Sequence, residues 1–203
     1  MEHLEELSLS DSSRMSSKLS INNCPKLRMG PLLPRAVRSL RIERSDNVLS
    51  SWGECTMSST GASSSSSSSV LLTTATSLTV VDSELPMQQW RPLRHLSGLE
   101  NLYITSCSDL TVSPDIIPHL SSVERLFINR CDISSLPHWV MDLTGPEHLW
   151  IGGCEGIRSL PEGIQQLPKL RILRISRCPG LKKWSESEEN KMKLAHIEIK
   201  DFD

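Results

Sequence analysis

Six cysteines and six histidines are the side chains of this chain best suited to chemistry. Thiolates and imidazoles bind zinc, and a Cys–His pair makes a nucleophile with its base. Their spacing argues against both uses. Zinc ligands usually come in pairs two to four residues apart, whereas Cys107, Cys131, Cys154 and Cys178 follow one another at intervals of 24, 23 and 24. Cys24 belongs to the same local phrase, and only Cys55 stands outside it. Residues one period apart in a stacked chain form a row at strand spacing, not a tetrahedron. Distance alone leaves a disulfide between neighbours open, but thiols in a reducing compartment stay free. His3, His95, His119, His138, His148 and His196 show no H-E-x-x-H pairing, and no G-x-S-x-G elbow occurs. Glu186, Glu188 and Glu189 read as a solvated turn. The expectation is a buried row of structural thiols, with no metal, no cofactor and no catalytic activity.

The element that would carry this row is a phrase written five times between residues 99 and 199. Its second apolar slot falls on Leu102, Leu126, Leu149, Leu173 and Ile197, and two residues on stand Ile104, Ile128, Ile151, Ile175 and Ile199. Three residues before that slot come Leu99, Val123, Pro146, Leu170 and Leu194. The unit is L-x-x-L-x-I-x-x-C-x-x-L-x-x-L-P, clearest in VERLFINRCDISSLP and PEHLWIGGCEGIRSLP. A period of 20–29 residues with this spacing is the signature of a leucine-rich repeat. The L-x-I triplet has period two, so it predicts a short strand with both apolar side chains on one face. One coil cannot cover that face, so neighbours must stack and share a core, each buried Leu or Ile contributing roughly 1.5–3 kcal/mol. The expected fold is α/β, a leucine-rich-repeat solenoid with a curved parallel sheet on its concave side.

Composition fits this. The 203 residues are 37% hydrophobic and only 4% aromatic, thin for a compact core but sufficient for a one-dimensional stack. A net charge of -2 argues against nucleic acid or an acidic membrane as general partners. No apolar run approaches the roughly 20 residues that cross a bilayer. The acidic start MEHLEELSLS is unlike a secretory signal, and no Asn lies in an N-x-S/T sequon. The expected location is cytoplasmic.

Three segments follow. Residues 1–48 hold irregular copies: Leu4, Leu7 and Leu9, then Leu19, Ile21, Cys24 and Leu27, then Val37, Leu40 and Ile42 with Ser45 in the cysteine slot. The step of 12 from Leu7 to Leu19 is too short for a coil and predicts a contracted repeat. The Pro-rich return CPKLRMGPLLPRA should be extended. Residues 49–74 break the pattern around an unbroken serine run from Ser63 to Ser69, which predicts a flexible insertion. Residues 75–203 resume with Leu78 and Val80, return through Trp90, Leu93 and Leu96, and end in a capping strand.

These repeats resemble the C-terminal leucine-rich-repeat region of plant intracellular nucleotide-binding disease-resistance receptors. The phrases that carry the resemblance are LSGLENLYITSCSDL, LSSVERLFINRCDISSLP and LPEGIQQLPKLRILRISRCPGLKKW, with the C-P-x-L turn at Cys24–Leu27 and Cys178–Leu181. The resemblance implies a sensing or autoinhibitory surface that meets a pathogen effector, a guarded host protein or the receptor's own nucleotide-binding module. This chain has no G-x-x-x-x-G-K-[ST], so a nucleotide switch is not carried over, and the short first repeat points to a fragment or truncated member. Pro146 departs from the usual Leu and removes a backbone donor. The alternative is a stand-alone scaffold for host proteins, or an inactive remnant.

The binding residues follow from the repeat. Between the two strand apolars, facing the concave side, stand Tyr103, Phe127, Trp150, Arg174 and Glu198, so three of the eight aromatics share a column. Asn129 lines the next column with Thr105, Gly152, Ser176 and Lys200. Arg130 and Arg177 lie beyond it with Ser106, Gly153 and Asp201. Exposed Trp, Tyr and Arg most often anchor protein interfaces; the alternative is that the rings only stack across strands.

Overall fold

The computed structural model describes residues 6–12, 16–29, 36–52 and 74–202. They contain nine strands: β1 (Glu6–Ser12), β2 (Ser16–Asn22), β3 (Val37–Glu43), β4 (Ser77–Val81), β5 (Asn101–Thr105), β6 (Arg125–Asn129), β7 (His148–Gly152), β8 (Ile172–Ser176) and β9 (Ile199–Phe202). One sheet holds them in chain order. From β2 to β9 every neighbouring pair is parallel. A parallel pair needs a crossover, so each coil runs up a strand, returns behind the sheet and re-enters one strand further on.

The register makes the repeat visible as rows. Leu102, Leu126, Leu149 and Leu173 are mutual partners, as are Ile104, Ile128, Ile151 and Ile175. All eight are at most 1% exposed. The returns are mostly single 3-10 turns, at Met87–Gln89, Ile117–Leu120, His138–Asp142 and Glu162–Gln166. Pro86, Pro137 and Pro161 open three of these and Pro118 lies in the first turn of the other. Proline presets φ and gives up no donor that a first turn would use. These returns, with the short helix α2 (Pro92–His95), bury Met87, Leu93, Leu120, Val140 and Ile164 against the strand rows. Trp90 and Leu96 are buried as well. At the strand starts the N–H groups of Leu99, Val123 and Leu170 donate to Leu96, Leu120 and Leu167. Pro146 has no N–H for the equivalent bond, yet it is buried like the residues it replaces.

Three expectations are corrected. The N-terminal phrase is not a contracted coil: β1 runs antiparallel to β2, pairing Leu7 with Ile21 and Leu9 with Leu19. Twelve residues are too few for a crossover but enough for a hairpin. Residues 49–52 do not belong with the serine-rich insertion; helix α1 (Asp46–Ser51) contains Leu49, and both Leu49 and Trp52 are fully buried. The serine run lies outside the described residues, as does the 30–35 part of the Pro-rich return. The final strand enters three residues later than the repeat predicts. Leu173 pairs with Lys200, Arg174 with Asp201 and Ile175 with Phe202. Ile197 therefore takes the place of Leu170, its N–H donating to Leu194 as that of Leu170 does to Leu167. The last return is built from α3 (Pro179–Ser185) and α4 (Glu188–Lys193). A helix advances about 1.5 Å per residue against roughly 2.0 Å in a 3-10 turn, so this return uses up more chain.

Candidate functional site

The strand positions that point away from the core line the open face of the sheet. Tyr103, Phe127, Trp150 and Arg174 are in one register row, as the spacing requires. The row continues to Thr79 and Arg41 on one side and ends at Asp201, not Glu198, on the other. Tyr103 and Phe127 stack with centroids 4.4 Å apart and planes at 13°. Phe127 meets Trp150 edge-on, at 5.4 Å and 72°. Such pairs stabilise by about 0.5–1.5 kcal/mol beyond their buried area. Trp150 nevertheless remains 44% exposed. Its indole N–H donates to Ser176 Oγ at 3.3 Å, which fixes the ring against β8.

The rings border a small hollow of about 110 Å³, closed by Thr105, Ile128 and Asn129. Gly152 lies beside it, between Asn129 and Ser176. A Cβ there would stand 2.9 Å from Asn129 Oδ1 and 3.2 Å from Ser176 Oγ. Arg174 reaches Asp201 only at 3.9 Å, and both side chains are mostly exposed. A pair of this kind contributes little to stability, so the guanidinium remains available to another molecule. Beyond the strands the chain turns through a left-handed residue in every coil, including Ser106, Arg130, Gly153 and Arg177 at φ between 50° and 60°. The N–H groups of Ser106, Arg130 and Gly153 each donate to the next coil. Arg130 thus projects from a backbone tied to the next coil, not from a loose loop.

Comparison with solved structures decides the architecture. A leucine-rich-repeat protein of Leptospira interrogans superposes with a TM-score of 0.54 at 17% identity, over 84% of this chain and 40% of that one. The leucine-rich-repeat domain of the type III effector XopL superposes with a TM-score of 0.52 at 18% identity, over 91% and 68%. The chain folds as a leucine-rich-repeat solenoid. It spans well under half the length of the Leptospira protein. No protein-family model matches the sequence, and no curated protein matches it.

The cysteines of this leucine-rich repeat are core. Cys24, Cys107, Cys131, Cys154 and Cys178 are free and buried. Each thiol donates to the carbonyl two residues back, and those of Cys131, Cys154 and Cys178 also reach the preceding coil at Ile104, Ile128 and Ile151, 3.9 to 4.0 Å away. Ser45 occupies the slot with a hydroxyl, donating to Glu43 O at 2.8 Å. Ser83, buried in the equivalent place, donates to Asp46 at 2.6 Å. Among the described residues no group of three or more His, Cys, Asp or Glu is placed to hold a metal.

Burial pushes the Cys107 thiol from 9.0 up to about 11, and the nearby Asp46 and Asp82 add to the effect. Burial also raises Cys178. The neighbouring Cys131 and Cys154 thiols act on each other, which lowers the first and raises the second. Only the thiolate is nucleophilic. At neutral pH, iodoacetamide should therefore leave Cys107 unmodified in the folded chain and alkylate it in urea, as read by mass spectrometry. The stability that comes from keeping this thiol protonated is complete below pH 9 and is lost as pH rises toward 11. An alkaline unfolding series reads this directly.

The repeat period also holds residues that the aromatic column draws attention away from. Glu100, Glu124 and Glu147 immediately precede three successive strands, each linked to the next by a backbone hydrogen bond. Their spacing of 24 and 23 was open to view in the sequence. Arg125 and His148 sit side by side on β6 and β7, Arg125 donating to Asn101 Oδ1 at 3.1 Å.

Proposed function

We propose that the open sheet face is a protein-recognition surface and that the chain acts by binding, not by catalysis. The observation that carries this is Trp150, held in place by Phe127 and Ser176 yet 44% exposed beside an open hollow. A large ring fixed in position loses little freedom on binding and offers much apolar area, as interface hot spots do. The resemblance of the repeats to plant disease-resistance receptors supports the finer reading. The surface would then serve a cytoplasmic immune receptor, sensing an effector or a guarded host protein, or contacting the receptor's own nucleotide-binding module. The net charge of -2 favours protein over nucleic acid. No helix among the described residues is long and apolar enough to cross a membrane.

The test uses the full chain as bait in plant-cell extract, compared with Trp150→Ala and Arg174→Ala. Both side chains are exposed, so Arg174→Ala should melt close to the parent and Trp150→Ala, which gives up the edge contact with Phe127, only a few degrees lower. Proteins retained by the parent should be lost by Trp150→Ala, with affinity reduced about tenfold or more. Equal losses of stability and retention would mean that the rings serve only the sheet.

A further inference from the structure

The open face is charged differently along its two rims. At the strand starts, Glu100, Glu124 and Glu147 stand in adjacent coils, joined by Glu124 N–H to Glu100 O at 2.9 Å and Glu147 N–H to Glu124 O at 2.8 Å. Neighbouring strands are about 4.8 Å apart, so the three glutamates line one edge. Glu124 is 3.9 Å from Arg125, while Glu100 and Glu147 make no ion pair with the described residues. Arg171 ends the row; Glu198 holds its guanidinium through two hydrogen bonds of 3.2 and 3.1 Å, and Glu147 lies within its electrostatic reach.

At the strand ends the corresponding row carries two arginines. Arg130 and Arg177 are exposed, two coils apart with Gly153 between them, and neither is ion-paired with the described residues. Asp82, Glu84 and Asp132 line with Arg130 a depression of about 260 Å³, where Arg44 pairs with Asp82 at 3.0 Å, and Glu155 lies near Cys178. None of these carboxylates is within salt-bridge distance of Arg130 or Arg177. From Glu124 to Arg130 is six residues, roughly 20 Å of strand, with the Phe127–Trp150 hollow halfway.

We infer that the partner segment is dipolar. It lays a basic end on Glu100, Glu124 and Glu147, an apolar side chain in the hollow, and an acidic end on Arg130 and Arg177. This rests on the reading that the face binds a polypeptide, and adds the partner's chemistry and orientation. A segment acidic throughout would press carboxylates against the glutamate rim, and one basic throughout would press cations against the arginines. Like charges brought together in this way oppose binding, and opposite ones fix the register. The span suits about six or seven extended residues, or roughly thirteen in a helix.

Selection from a phage-displayed library of random 12-residue peptides on the full chain tests this. Peptides retained by the parent and lost by Trp150→Ala should carry Lys or Arg at one end, Asp or Glu at the other, and a Leu, Phe or Trp between. The double variant E124K/E147K should bind those peptides at least tenfold more weakly and select peptides acidic at both ends. The exposed pair R130E/R177E gives the reciprocal shift, toward peptides basic at both ends, should the first variant melt early. Retained peptides with the same charge at both ends, or with no charge preference, would overturn the inference while leaving a binding face in place. Failure to retain any peptide in a Trp150-dependent way would overturn both.

Discussion

Leu149→Ala should cost about 2–5 kcal/mol, read as a lower urea midpoint at unchanged slope. Leu149 is 1% exposed on β7, with Leu126 of the preceding coil and Leu173 of the following one as register partners. In a globular core a truncated side chain can be partly replaced by movement from several directions. In a solenoid the only cover for a coil is its two neighbours, and both are fixed by backbone pairing through β6 and β8. The space left by the three lost carbons therefore stays open, and the cavity adds to the lost transfer energy. Leu126→Ala, one coil earlier and fully buried, should behave alike. If neither variant shifted the midpoint, these side chains would not be shared between coils, and the stack would be wrong.

Gly156→Ala should destabilise by about 1–3 kcal/mol for the opposite reason, an excess of volume. Gly156 lies in the turn after Cys154, where an added Cβ would stand 2.6 Å from the Ile133 carbonyl oxygen and 3.3 Å from its carbon. Those atoms are backbone of the coil below, so no rotamer change relieves the contact; the two coils must part. Gly180 meets Ile157 O at 2.7 Å one coil later, so this close approach belongs to the stacking. Gly98→Ala is the control, because a Cβ there meets nothing within 4 Å. Its melting temperature should equal or slightly exceed that of the parent, since alanine narrows the unfolded ensemble. Equal melting temperatures for the two variants would contradict the coil spacing.

The candidate surface was legible because a strand has period two. Once Leu126 and Ile128 are assigned inward, Phe127 must point outward, and the 23- or 24-residue period then sets it beside Tyr103 and Trp150. The geometry of that row was not legible. Whether Phe127 stacks on a ring or meets it edge-on, and whether Trp150 stays half in solvent, depends on a ring's rotation and its neighbours. For Trp150 those neighbours are the Ser176 hydroxyl that accepts from its indole and the Gly152 backbone, where a Cβ would stand 3.5 Å from the indole nitrogen.

What the amino-acid order determined alone was the repeat: its period, the inward rows, and the thiols at the turn. Each of these depends on residues near one another in sequence, where strand geometry translates spacing directly into facing. The two ends were decided only by the tertiary structure. Leu7 and Leu9 look like strand positions in any coil, but the direction of their strand depends on whether the link to β2 is long enough to cross behind the sheet, and it is not. Ile197 and Ile199 also read as a strand pair, yet α3 and α4 consume the chain that would have brought them level with Leu173 and Ile175. Register at an end is constrained by one neighbour instead of two, so the packing of the return segment outweighs the local pattern.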